Sequence, residues 1–127
     1  MIGKVLYTLL TADATLTGIV STRVYPLLLP QTNTFPAIGY IVEEKPVMRC
    51  DGGTRIIMAD VTLGIFADTL LEAENIGTHV VRILDLQRGT IAGVDVQSIM
   101  LANGEDDFDE ELRIHYVKQT YNITYLT

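Results

Sequence analysis

The stretch "RIIMADVTLGIFADTLLEAENIGTHVVRIL", residues 55–84, changes its hydrophobic period halfway along. In the first half Ile57, Ala59, Val61, Leu63, Ile65 and Ala67 alternate with Ile56, Met58, Asp60, Thr62, Gly64 and Phe66. A period of two belongs to a strand with one face on a core, so residues 55–67 predict a strand whose first set points inward. From Asp68 the period becomes helical. Asp68 or Thr69 caps the helix and Glu72 places an acid in its first turn. Ala73, Ile76, Gly77, Val80, Ile83 and Leu84 form its buried stripe, with Glu72, Glu74, His79 and Arg82 off it. Gly89, following Arg88, is the expected stop.

Upstream, residues 37–44 read as another strand. Ile38, Tyr40 and Val42 share one face, and Ile41 and Glu43 the other. Pro46 is expected to end it, and "CDGGT" at 50–54 to make a turn. Two strands flanking one short loop predict an antiparallel hairpin. Residues 2–12 form a helix through Ile2, Val5, Leu6, Leu9 and Leu10, ended by Asp13 and the Thr-Gly that follows. Val24 and Tyr25 suit a short edge strand stopped by Pro26.

Downstream, residues 94–101 and 112–125 are the remaining strands, joined by "NGEDDFDEE" (103–111), an acidic loop turning near Asp106 and Asp107. Both strands change parity. Val94 and Val96 give way to Ile99 and Leu101, while Leu112, Ile114 and Tyr116 give way to Val117, Tyr121, Ile123 and Tyr125. A bulge or strong twist that swaps the buried face is one account. A different turn position, or a strand end packed on both faces, is the other.

The totals set bounds. A chain of 127 residues, 48% apolar and 20% charged, fits one folded domain spanning residues 1–127. Its formal charge of −7 and scattered basic residues argue against gripping a nucleic-acid backbone. Cys50 is the single cysteine, so no internal disulfide forms and a reducing compartment is expected. No stretch approaches the ~20 apolar residues of a membrane span.

Candidate chemistry is sparse. The acids Glu105, Asp106, Asp107, Asp109, Glu110 and Glu111 lack the glycine and ligand spacing of a calcium loop. They read as a solvated loop tip or as an electronegative patch on a functional surface. His79 and His115 have no second ligand nearby in sequence. Ser21 and Ser98 lack a nucleophile-elbow frame. The glycines of "DGGT" lack the lysine and helix of a phosphate loop. In "RVYPLLLPQ", prolines bound a Leu27-Leu28-Leu29 run, which must be extended and poorly paired. Those leucines either lid the sheet or meet a partner chain.

Taken in order, an N-terminal helix, "TGIVSTRVYPLLLPQ", "FPAIGYIVEE", "VTLGIFADTLLEAENIGTHVVRIL" and "EDDFDEELRIHYVKQTYNITY" resemble the tail-completion family of long-tailed bacteriophages. These are the small head-to-tail joining, or tail-terminator, proteins. The likeness runs over nearly the whole chain, and order and spacing carry it more than any single residue.

The resemblance implies a non-enzymatic structural protein with no cofactor. It implies a homo-oligomeric ring at the head-proximal end of the tail tube, a hexamer in the virion whose subunits can be monomers in solution. There it stops tube growth and contacts both the tail-tube protein and the head-completion or connector protein. DNA passes through the lumen without specific binding, no membrane is involved, and assembly takes place in the bacterial host cytoplasm. Alternatives are another virion component, such as a tail-tube or connector subunit, or a small non-viral binding module.

The expected fold is α+β in two layers: a mostly antiparallel sheet, two helices mainly on one face, and protruding hairpins. The helix after Asp68 joins a strand to its neighbour or next-but-one, which allows one parallel pair. The interface residues expected from the sequence are Leu27, Leu28, Leu29, Arg49, Arg55, Asp106, Asp107, Phe108 and Asp109. Leu28→Asp is expected to impair ring formation or tail joining more than folding. Melting temperature measured beside tail-joining activity checks this, and equal loss of both would make Leu28 a core residue.

Overall fold

A computed structural model describes residues 2–26, 35–49, 53, 55–110 and 113–127. The chain runs α1 (Ile2–Ala12), α2 (Ala14–Val20), β1 (Val24–Pro26), β2 (Ala37–Arg49), β3 (Arg55–Phe66), α3 (Leu70–Leu84), β4 (Gly89–Ile91), β5 (Val94–Asp109) and β6 (Ile114–Leu126). The strands form one sheet in the order β1-β2-β3-β6-β5-β4. Every neighbouring pair is antiparallel except β1–β2. The fold is α+β, as the sequence predicts.

β3 is the organising strand. Its alternating set from Ile57 to Ile65 is buried, and Ala67 continues it. On one side β2 pairs from Ala37↔Phe66 to Arg49↔Arg55, and on the other β6 pairs from Ile56↔Leu126 to Phe66↔Tyr116. The inward faces of β3, β5 and β6 join the helices in one core that includes Ile2, Leu6, Leu10, Ile76, Val80, Leu84, Tyr121 and Tyr125. The α3 stripe is buried at all six positions read from the sequence. Thr69 is the cap, its hydroxyl accepting from the Glu72 N–H at 3.2 Å.

Several elements depart from the sequence reading. Asp13 does not end helical structure but starts a second helix: its backbone is extended and its carboxylate accepts from the Leu16 N–H at 3.0 Å. The helices therefore number three rather than two among the described residues. α3 stops at Leu84, and Gly89, at φ 118, opens the short strand β4. Pro46 lies inside β2, next to a register shift between Pro46 and Met48. A strand tolerates proline at an edge or bulge, and β1 covers β2 only from Ile38 to Tyr40.

The parallel pair is β1–β2, not one made through α3. β3 and β5 share a direction because both oppose β6, which lies between them as the next-but-one strand arrangement requires. Among the described residues no helix is long and apolar enough to cross a membrane.

The parity changes have two causes. In β5 the register shifts between Val96 and Ser98 and again between Leu101 and Asn103. The first bulge keeps Ile99 on the core face beside Val96. β6 has no register shift; its end packs on both faces, with Val117 toward the core and Tyr116 stacked on Phe66 at 4.7 Å. Leu101, expected in the core, is 39% exposed. The hairpin turn falls beyond Asp109 rather than at Asp106 and Asp107.

Gln119 is the one buried polar side chain among the described residues, and it ties α3 to the sheet. Its Nε2 donates to the Gly77 carbonyl at 3.0 Å, and the Tyr121 hydroxyl donates to its Oε1 at 2.7 Å. Gly77 permits this approach, since a Cβ there would sit 2.9 Å from the Gln119 amide nitrogen. Burial raises the Tyr121 phenol pKa, with the Asp85 carboxylate adding to the effect, so this donor stays protonated. Tyr121→Phe leaves the Gln119 oxygen without its donor and is expected to cost about 1–3 kcal/mol, read from urea unfolding.

A second tie joins the helices. Arg82 of α3 forms a two-pronged pair with Asp13, at 3.0 Å (Nη1–Oδ2) and 3.1 Å (Nη2–Oδ1). Hydrogen bonds from Arg82 and from the Leu16 N–H hold the Asp13 carboxyl at a pKa of about 2 against an ordinary 3.8. Because the folded carboxyl is the stronger acid, its contribution is complete above about pH 4 and fades as pH falls toward 2. Asp13→Asn keeps a capping oxygen but loses the charge. The melting-temperature gap between wild type and this variant is therefore expected to hold above about pH 4 and to narrow from pH 4 to pH 2.

Candidate functional site

The two long hairpins leave opposite ends of the sheet. β2 and β3 close beyond the Arg49↔Arg55 pair, at the end where β6 finishes. There Arg55 and Thr127 exchange backbone hydrogen bonds, each at 3.0 Å. β5 and β6 close beyond Asp109↔Ile114, at the end where β3 finishes. Arg49 and Arg55 therefore lie at one end, and Asp106, Asp107, Phe108 and Asp109 at the other. Within one chain these two sets do not meet. Leu27, Leu28 and Leu29 lie outside the described residues.

The acidic stretch is not a loop. Residues 103–109 are the outer half of β5, extended because each of them finds a partner on β6. On the outward face Glu105 sits opposite Lys118, their charges 3.6 Å apart, and Asp107 sits opposite Tyr116. Asp107 accepts from the Phe108 N–H at 2.8 Å and from the Tyr116 hydroxyl at 3.0 Å. These two bonds, helped by Lys118, hold its carboxyl below the usual range. Asp106 and Phe108 take the helix-side face, opposite Val117 and His115. The Phe108 and His115 rings stand 4.8 Å apart. Residues 101–108 are all exposed.

Beside Asp107 the outward face carries an aromatic row. Phe35 stacks on Phe66 at 6.3 Å, and Phe66 on Tyr116 at 4.7 Å. The Phe66 ring lies over Gly64, where an added Cβ would come within 2.8 Å of it. The sequence reading missed this row, although Phe66 is an aromatic in the outward set of its strand and Tyr116 stands where the parity of β6 changes.

Along the border of β5, β4 pairs only with Val94 to Val96. Next, the Leu86 N–H donates to the Ile99 carbonyl at 2.7 Å, and the Leu101 N–H donates to Asp85 Oδ1 at 3.0 Å. Beyond Leu101 no described residue pairs with this border. The other long border, β2 beyond Tyr40, likewise has no paired neighbour among the described residues.

The described residues line two of the molecule's shallow hollows. One of about 290 Å³ is lined by Leu86, Gln87, Arg88, Gln97, Ser98, Ile99 and Met100. The other, about 230 Å³, surrounds the Asp13–Arg82 pair. No histidine lines either one, and the described residues hold no group of His, Cys, Asp and Glu able to bind a metal ion. The geometry offers strand borders and charged hairpin ends, which suit contact with other chains.

The family model described as Tail completion protein gp17 matches residues 4–126. Comparison with curated proteins gives no match. Among solved structures, a chain from the virion of a native gene transfer agent particle has a similar fold, with a TM-score of 0.75 and 14% sequence identity. The superposition covers 96% of this chain and 92% of that one.

Proposed function

Because the chain belongs to the Tail completion protein gp17 family, a family of structural phage-tail proteins, we propose that it closes the head-proximal end of a tail tube as a ring and joins it to the head connector. Membership over residues 4–126 is the observation that carries this reading. The fold shared with a chain of a gene transfer agent virion supports a place in a phage-like particle.

The surfaces fit such a role. A ring repeats one contact between two different patches of the subunit. Strand borders on opposite sides of one sheet supply two such patches. A formal charge of −7 suits a conduit that must let DNA slide, since an acidic wall does not grip phosphate. The ring is a hexamer in the virion and assembles from subunits that need not associate in free solution. Its neighbours are the tail-tube protein on one side and the head-completion protein on the other.

A tail-tube subunit is the competing role, and growth habit separates the two, because tube proteins stack without limit. Purified protein mixed with purified tail tubes is expected to appear in negative stain at one tube end only. Uniform decoration or filament growth would favour the tube-subunit role, and absence from the tubes would overturn tail completion.

A further inference from the structure

We propose that neighbouring copies join edge to edge, the outer border of β5 (residues 102–109) on one copy meeting the border of β2 beyond Tyr40 (residues 41–49) on the next. The proposal rests on the ring reading above and names its contact.

A strand border with unpaired N–H and C=O groups is a template for another strand. Among the described residues the borders of β5 and β2 are left open, and at opposite ends of the sheet. β1 covers β2 only at the end near Ile38, and β4 covers β5 only at the end near Val94. Within one chain β2 and β5 run in opposite directions, because three antiparallel steps separate them. Copies arranged around a common axis would therefore pair β5 with β2 antiparallel, as in the rest of the sheet.

Charge selects the partner. The β5 border carries Glu105, Asp106, Asp107 and Asp109, and no Lys or Arg lies anywhere in β5. The opposite hairpin carries Lys45, Arg49 and Arg55, a third of the nine basic residues of the chain. Lys45 lies 3.7 Å from both Glu43 and Asp60, and Glu44 accepts from the Tyr125 hydroxyl at 2.7 Å, so the attraction falls to Arg49 and Arg55. Two β5 borders would repel each other, so a two-fold pair is disfavoured and the head-to-tail contact is favoured.

Geometry favours closure. The cross-sheet row through Glu105 runs to Lys118, Gly64 and Gly39, and Gly39 lies six residues along β2 from Lys45. Bringing the two borders together displaces each copy by about 20 Å along the strands, at ~3.3 Å per residue. Four strands, β2, β3, β6 and β5, span about 19 Å across at ~4.8 Å each. Strands then lean about 45° from the ring axis, at the upper end of the roughly 35–45° found in closed sheets. With no lean, the β2 border would meet β4 instead.

Charge exchange tests the contact. One variant carries Asp106→Lys with Asp109→Lys, a second carries Arg49→Glu with Arg55→Glu, and a third carries all four changes. Each is mixed with tail tubes, and capped ends are counted in negative stain beside a thermal melt. Each two-site variant is expected to cap about tenfold fewer ends, equivalent to about 1.4 kcal/mol, with melting unchanged. The four-site variant is expected to recover to within about twofold of wild type.

A four-site variant that melts normally yet caps as poorly as its parents would overturn the edge contact; the borders would then meet other virion proteins. Two-site variants that cap normally would overturn it too. Wild-type protein that caps no ends would instead bring down the ring reading itself.

Discussion

Period-two alternation in β3, locked to both neighbours, fixes every inward-facing side chain of the sheet. A slip of one residue by β2 or β6 would turn Ile38, Tyr121, Ile123 and Tyr125 to solvent and bring Asn122 and Thr124 inside. Burying one such large side chain stabilises by about 1.5–3 kcal/mol, against a total of about 5–15 kcal/mol for a typical domain. A slipped register would therefore exhaust the stability of the fold. The central strands have one workable arrangement, and the hairpin ends inherit their positions from it.

The helices dock on this frame through few polar contacts. Gln119 is buried, but Gly77 and Tyr121 satisfy both ends of its amide, so it specifies where α3 sits without leaving an unmet group. The Asp13–Arg82 pair lies near the surface, where screening makes it more an aligning contact than a source of stability. Its placement matters nonetheless. One carboxylate caps α2 and holds α3, so the break between α1 and α2 is also a junction of three helices.

Legibility in the sequence follows how strongly burial patterns a segment. β3 and the α3 stripe were readable residue by residue because their periods run unbroken. Asp13 was ambiguous: a short polar residue after a helix serves equally as a stop or as the cap of another helix, and the tertiary pairing with Arg82 accompanies the second. Gly89 to Ile91 is too short to show a period. The outer half of β5 reads as a loop because residues 102–108 are exposed on both faces, so no alternation marks them as a strand. Pro46 reads as a stop because its place on a partly uncovered border is a tertiary fact. The candidate residues at the hairpins were visible as charges, but their placement at opposite ends emerges only from the register linking β2 to β5.

An exposed antiparallel border is a hazard for any chain that must stay dispersed before it assembles. The outer half of β5 meets that hazard with four carboxylates in five residues, and the bulge between Leu101 and Asn103 bends it where the described cover ends. Charges that forbid pairing with a like border leave pairing with a basic one open. Under the proposed edge contact, protection and address are the same feature: like-charged borders repel each other, while a border with arginines at the right stagger attracts. That logic explains why so much negative charge lies on regular backbone instead of in a loop. A loop would spread its carboxylates over many geometries, whereas a strand holds them in fixed register for one partner.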